Sequence, residues 1–136
     1  MPIDYAEFER RLLRPGFGGL LGARLAELSP GYCRLELPFK AELSRGDELI
    51  HGGAIAALID KAGTCAAWSY EDIGPNARGA TVGLTVNYLE GAASCDLTAE
   101  ARVVRRGGSI TVVDVEVRSD KGSLVAKGPV TYKLSR

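Results

Sequence analysis

The run Gly53-Ala-Ile-Ala-Ala-Leu-Ile-Asp60-Lys-Ala-Gly-Thr-Cys-Ala-Ala-Trp-Ser-Tyr70 decides how the chain is read. It is rich in alanine, and its only charges are Asp60 and Lys61. A helix that is apolar almost all round is a buried one, because a surface helix needs a polar face. The pattern predicts a helix from Gly53 to about Glu71. Upstream, Cys33, Leu35, Leu37 and Phe39 alternate with Arg34, Glu36 and Pro38, the period of a half-buried strand. Downstream of Gly74-Pro75-Asn76, β-branched residues take over. Strands are expected there at about 80–90, 95–106, 109–119 and 123–134. Gly91, Gly107-Gly108 and Lys121-Gly122 punctuate them, and Pro129 points to an edge position or a bulge. One long buried helix followed by an antiparallel meander is an α+β arrangement, with the sheet wrapped on the helix.

The N-terminal segment adds a short helix. Asp4 followed three residues later by Glu7 has the spacing of a capping box, and Tyr5, Phe8 and Leu12 share one helical face. Pro15-Gly16 ends it. No strand precedes Gly16-Phe17-Gly18-Gly19, so these glycines do not form a dinucleotide fingerprint and read as a loop. The 136 residues suit one domain, 1–136, with a real hydrophobic core.

Composition narrows the function classes. Seventeen basic residues balance seventeen acidic ones, which leaves no basic field for nucleic acid. No apolar run reaches the roughly 18 residues of a membrane span, and Met1–Tyr5 lacks the layout of a signal peptide. Cys33, Cys65 and Cys95 are odd in number and far apart, as expected of reduced thiols packed in a cytoplasmic protein. With one histidine and no clustered thiols, no metal site is expected.

Three features carry chemistry. His51-Gly52-Gly53 stands at the start of the buried helix, where backbone N–H groups lack internal partners and the dipole is positive. Glycines there let a ligand approach the backbone, so the turn can hold a developing oxyanion. Asp60 is an ionisable group inside an apolar helix, which costs free energy unless it is paired or used. Thr64, Ala56 and Gly63 share its side of the helix and leave space beside the carboxylate.

Together these residues resemble the hotdog-fold acyl-CoA thioesterases, in the branch typified by the phenylacetic-acid-degradation enzymes. That signature is H-G-G followed by an apolar helix with L-x-D, here His51-Gly52-Gly53 to Leu58-Ile59-Asp60. The later run Thr81 to Leu89, with Asn87-Tyr88-Leu89, is similar to the family's next strand, and Arg105-Arg106-Gly107-Gly108-Ser109 to its hairpin. The resemblance covers about residues 18–134. It implies hydrolysis of an acyl-CoA thioester without metal or redox cofactor, coenzyme A being part of the substrate. It implies Asp60 as general base or nucleophile, and the N–H of Gly52 or Gly53 on the thioester carbonyl. His51 would shape the loop, and Thr81 would position water or carboxylate. Tyr88, Leu89, Arg105, Arg106, Gly107 and Ser109 would lie where relatives hold coenzyme A. One departure stands out: Arg45 occupies the place where many relatives carry asparagine.

Helical geometry adds a constraint. Gly53 and Asp60 are seven residues apart, roughly 10 Å along a helix, whereas attack needs reacting atoms within about 3–3.5 Å. A two-fold homodimer with antiparallel helices brings Asp60 of one subunit to the glycines of the other, so the expected assembly is a dimer or a dimer of dimers. The alternative is a hotdog protein that binds or senses acyl-CoA without turnover; Asp60 in an apolar helix argues against it. A hydratase of the same fold resembles a different pattern. The acyl group, and the choice between coenzyme A and a carrier protein, are not read from the residues.

Overall fold

The helix predicted from the alanine-rich run forms between Gly52 and Ala67 in the computed structural model, which describes residues 2–135. It is α3; before it come α1 (Tyr5–Leu12) and α2 (Phe17–Leu21). Seven strands among the described residues make one antiparallel sheet: β1 (Arg24–Ser29), β2 (Tyr32–Leu37), β3 (Arg78–Leu84), β4 (Asn87–Tyr88), β5 (Leu97–Arg106), β6 (Ile110–Ser119) and β7 (Leu124–Ser135). Their order is β1-β2-β5-β6-β7-β3, with β4 also pairing with β7. This is the hotdog arrangement, an α+β fold with the sheet curled on one long helix.

Alternation along the strands builds the core. Cys33, Leu35 and Leu37 of β2, Leu97, Ala99 and Ala101 of β5, Val113, Val115 and Val117 of β6, and Val125, Val130 and Leu134 of β7 are all buried. Ile55, Leu58, Ile59, Ala62, Cys65 and Ala66 face them from α3. Cys33 and Cys65 are free thiols inside this core. The Cys33 thiol is pushed up by its contact with Cys65 and by burial, which suits packing rather than reactivity. The other sheet face carries charge, with Lys127 Nζ 3.1 Å from Glu116 and 3.6 Å from Asp114.

Several expectations need correction. α3 stops at Ala67 instead of continuing to Glu71, because Ser69 Oγ donates to the Ala66 carbonyl and accepts the N–H of Gly31, tying the chain to the turn before β2. The stretch 80–90 is two strands, not one. The ladder with β7 lapses at Thr85–Val86 and resumes at Asn87, and the Thr85 carbonyl comes so close to Gly128 that a Cβ there would overlap it. Pro129 lies in an interior strand, and its carbonyl accepts from Thr85 at that same break, where its missing N–H is not needed. Gly16–Gly19, read as a loop, runs into α2. There a side chain at Gly18 would press on Leu13 and Lys61, and one at Gly19 would overlap the Arg14 carbonyl. β1 was not expected at all. The Asp4 cap is present, accepting from Ala6 and Glu7, but Glu7 pairs with Arg10 instead of closing a capping box.

No described helix is long and apolar enough to cross a membrane. Helix and sheet approach closely at Gly63, where an added Cβ would lie 2.7–2.8 Å from Cβ and both Cγ atoms of Val130. Replacing Gly63 by Ala is therefore expected to lower stability by about 1–3 kcal/mol, although alanine gains about 1 kcal/mol of helix propensity. Urea denaturation reads this, and adding Val130→Ala should restore most of the loss. An unchanged midpoint in the single variant would mean that the helix can ride higher on the sheet.

Candidate active site

The start of α3 is organised by its own cap. His51 lies just outside the helix with φ −61° and ψ 134°, and its Nδ1 accepts the N–H of Gly53 at 2.7 Å. The His51 carbonyl accepts from Ala54 at 2.9 Å and Ile55 at 3.3 Å, and the His51 N–H donates to Leu43. Among the described residues this leaves one first-turn donor without a protein acceptor, the N–H of Gly52. It sits at the positive end of the helix dipole and can polarise a carbonyl oxygen. A side chain at Gly53 would press on the capping imidazole, at 2.9 and 3.1 Å from Nδ1 and Cε1, so glycine is what the cap geometry admits. Tyr88 of β4 leans over the same turn, donating from its hydroxyl to the Gly52 carbonyl at 2.7 Å. Leu89 beside it is exposed, its N–H fixed on Val125.

Asp60 is half-buried on α3, about 12 Å along the helix from Gly52. Thr81 Oγ1 of β3 donates to Asp60 Oδ1 at 2.6 Å. Among the described residues no cation pairs with this carboxylate. Its neighbour Lys61 turns away and donates from Nζ to the Leu12 carbonyl at 3.1 Å, capping the end of α1. Behind Asp60, Trp68 Nε1 donates to the Tyr132 hydroxyl at 2.8 Å. Burial pushes the Tyr132 phenol up, and the Asp60 charge adds to the shift. Neither Tyr132 nor this pairing was visible in the sequence; the structure shows Gly79 packed so close to the Tyr132 ring that a side chain there would overlap it.

The remaining residues fall elsewhere. Arg105 and Ser109 are exposed at the β5–β6 hairpin, which the N–H of Gly107 closes on the Ile110 carbonyl at 2.8 Å. Arg106 is held: it donates to both Asp72 oxygens at 3.1 and 2.6 Å, and its guanidinium carbon lies 3.7 Å from the Tyr70 ring centroid. Arg45 pairs with Asp47 at 2.9 Å in an exposed turn. Among the described residues, no group of three His, Cys, Asp or Glu side chains is placed to hold a metal ion. The structure thus brings together two clusters, Asp60 with Thr81, and His51, Gly52 and Gly53 with Tyr88. A free backbone donor and an unpaired carboxylate are the parts that acyl-transfer chemistry uses, set too far apart in one chain to act on the same atom.

Known proteins place these parts in context. The family model of the thioesterase superfamily matches residues 47–126, which include both clusters. A protein of Saccharolobus solfataricus named "putative esterase" is 33% identical over 116 residues, covering 85% of this chain and 81% of its own. Among solved structures, a conserved protein from Pseudomonas aeruginosa superposes with a TM-score of 0.82 at 31% identity, over 93% of this chain and 98% of that one. Zebra fish thioesterase superfamily member 2 superposes with a TM-score of 0.82 at 26% identity, over 96% and 95%. The match of the family model over more than half of the chain, with a relative 33% identical, shows that this chain belongs to the thioesterase superfamily.

Proposed function

We propose that the protein hydrolyses acyl-CoA thioesters at a site shared between two subunits, in the manner of the phenylacetic-acid-degradation branch whose H-G-G…D signature it resembles. The observation that carries this reading is a pair of groups on α3: the Gly52 N–H, without an acceptor, and the Asp60 carboxylate, without a cation, among the described residues. In the proposed reaction Gly52 polarises the thioester carbonyl. Asp60 of the neighbouring subunit activates water as general base or attacks directly, with Thr81 fixing its orientation. Coenzyme A leaves as the thiolate. Residues 1–136 act as one domain, and these groups suffice without metal or redox cofactor. Arg105, which has no acidic partner among the described residues, supplies a guanidinium for the coenzyme A phosphates, since Asp72 and Tyr70 already hold Arg106. Buried free thiols fit a reducing cytoplasmic setting.

Assembly is supported by the open edge of the sheet. β3 is an edge strand carrying Thr81 and the exposed apolar side chains Val82 and Leu84. An unpaired, partly apolar edge favours pairing with a second copy. A two-fold axis near the middle of α3 would then set each Asp60 against the partner's helix start.

Asp60→Asn should lower turnover of acyl-CoA by about 10²–10⁴-fold while coenzyme A still binds, read by thiol release and calorimetry. Near-native turnover in that variant would make the protein a carrier or sensor instead. His51→Asn keeps a side-chain cap and should retain most turnover with an unshifted pH profile. His51→Ala should cost about 1 kcal/mol of stability along with activity. A collapse of turnover in His51→Asn without loss of stability would assign the imidazole a proton-transfer role.

Mixing tests the shared site. Refolding equal amounts of Asp60→Ala and Gly52→Val chains makes about half the dimers mixed, each with one intact site, so roughly a quarter of native activity should return. Mixed dimers that are folded by circular dichroism, correctly sized and still inactive would rule the shared site out.

A further inference from the structure

The start of α3 separates two cavities. One, of about 540 Å³, lies between α2 and the helix start and is walled by Phe17, Leu20, Leu21, Leu43, His51 and Ala54. The other, of about 330 Å³, lies on the opposite flank and includes Arg45, Gly52, Ile55, Tyr88 and Leu89. His51 and Ala54 line the first while Gly52 and Ile55 line the second, so both open on the same helical turn. Phe17 and Leu20 are 63% and 69% exposed, side by side on one apolar wall. Lys40, which also lines this cavity, is turned onto the Leu20 carbonyl.

We propose that the cavity under α2 is the acyl-binding site and that it takes an apolar acyl group of medium chain length. The inference rests on the thioesterase reading, because it fixes the thioester carbonyl at Gly52. From that point a substrate has two ends to place. The hydrocarbon matches the apolar flank with Phe17, Leu20 and Leu43, and the coenzyme A arm leaves by the opposite flank, past Tyr88 and Leu89. A volume within the roughly 300–1,000 Å³ of small-molecule sites is far more than an acetyl group fills. α2 is therefore a specificity element. Its glycines let it approach Lys61 and the end of α1, which sets its two large side chains over the cavity.

The test is a chain-length series from butyryl- to octanoyl-CoA. In the native protein kcat/KM should rise roughly fourfold for each methylene buried. Leu20→Glu places a charge on the cavity wall at an exposed position that the fold tolerates. It should cut the octanoyl-to-butyryl ratio by about tenfold or more. Phe17→Ala should lower the same ratio less, by removing apolar wall without adding charge. The non-hydrolysable thioethers S-octyl-CoA and S-ethyl-CoA, followed by calorimetry, give an independent reading of the same preference. If native protein turns over octanoyl-CoA and both variants keep the native ratio, the acyl group lies elsewhere and the inference is overturned, with the thioesterase reading intact. If no thioester is hydrolysed but S-octyl-CoA binds better than S-ethyl-CoA and Leu20→Glu abolishes the difference, the cavity assignment holds and the hydrolase reading falls.

Discussion

Gly63 of α3 approaches Val130 of β7 so closely that no side chain fits between them. That contact sets the depth at which the helix lies in the sheet, and the rest of the molecule is arranged around the depth. Leu58, Ile59 and Ala62 reach full burial because the axis is this low. For the same reason Thr81 on the edge strand can reach Asp60 with a 2.6 Å hydrogen bond. A helix held one side-chain layer higher would lose both the core and the carboxylate's orientation.

The two charges of α3 show how a buried helix can carry polar groups. They are adjacent in sequence and so point about 100° apart around the axis. Lys61 is spent on structure, closing the end of α1, and its long apolar stem accommodates partial burial. Among the described residues Asp60 has only a neutral hydroxyl donor, which orients it without neutralising its charge. A carboxylate bound to a cation would be a weaker base. Separation of the pair is what leaves Asp60 chemically available.

Most of the fold was legible because its main signals are periodic. The apolar helix and the alternation in β2, β5, β6 and β7 follow from burial on one face, and burial is written into residue order. What escaped depends on contacts between distant residues. β1 contains a register shift between Leu25 and Glu27 that breaks its alternation, so its strand character rests on pairing with β2. α2 carries two glycines that disfavour a helix, yet close approach to Arg14 and Lys61 demands them. At the candidate site, His51, Gly52, Gly53, Asp60 and Thr81 were singled out from spacing and resemblance, but the choice of Gly52 as the unpaired donor needed the cap geometry. Arg105 and Arg106 look equivalent in sequence; the aromatic and acidic partners that distinguish them come from the loop before β3.

The break at Thr85–Val86 has a consequence for how substitutions in this region would be tolerated. Thr85 is exposed on its outer side, whereas Gly128 on the strand beneath has no room, since a methyl group there would collide with the Thr85 carbonyl. A change at Gly128 would be felt as a displaced segment and not as a hole in the core. Because Asn87 and Tyr88 hang from β7 just beyond the break, that displacement would travel to the aromatic ring over Gly52. A position buried under the sheet edge, with no functional group of its own, thereby controls the shape of the helix start.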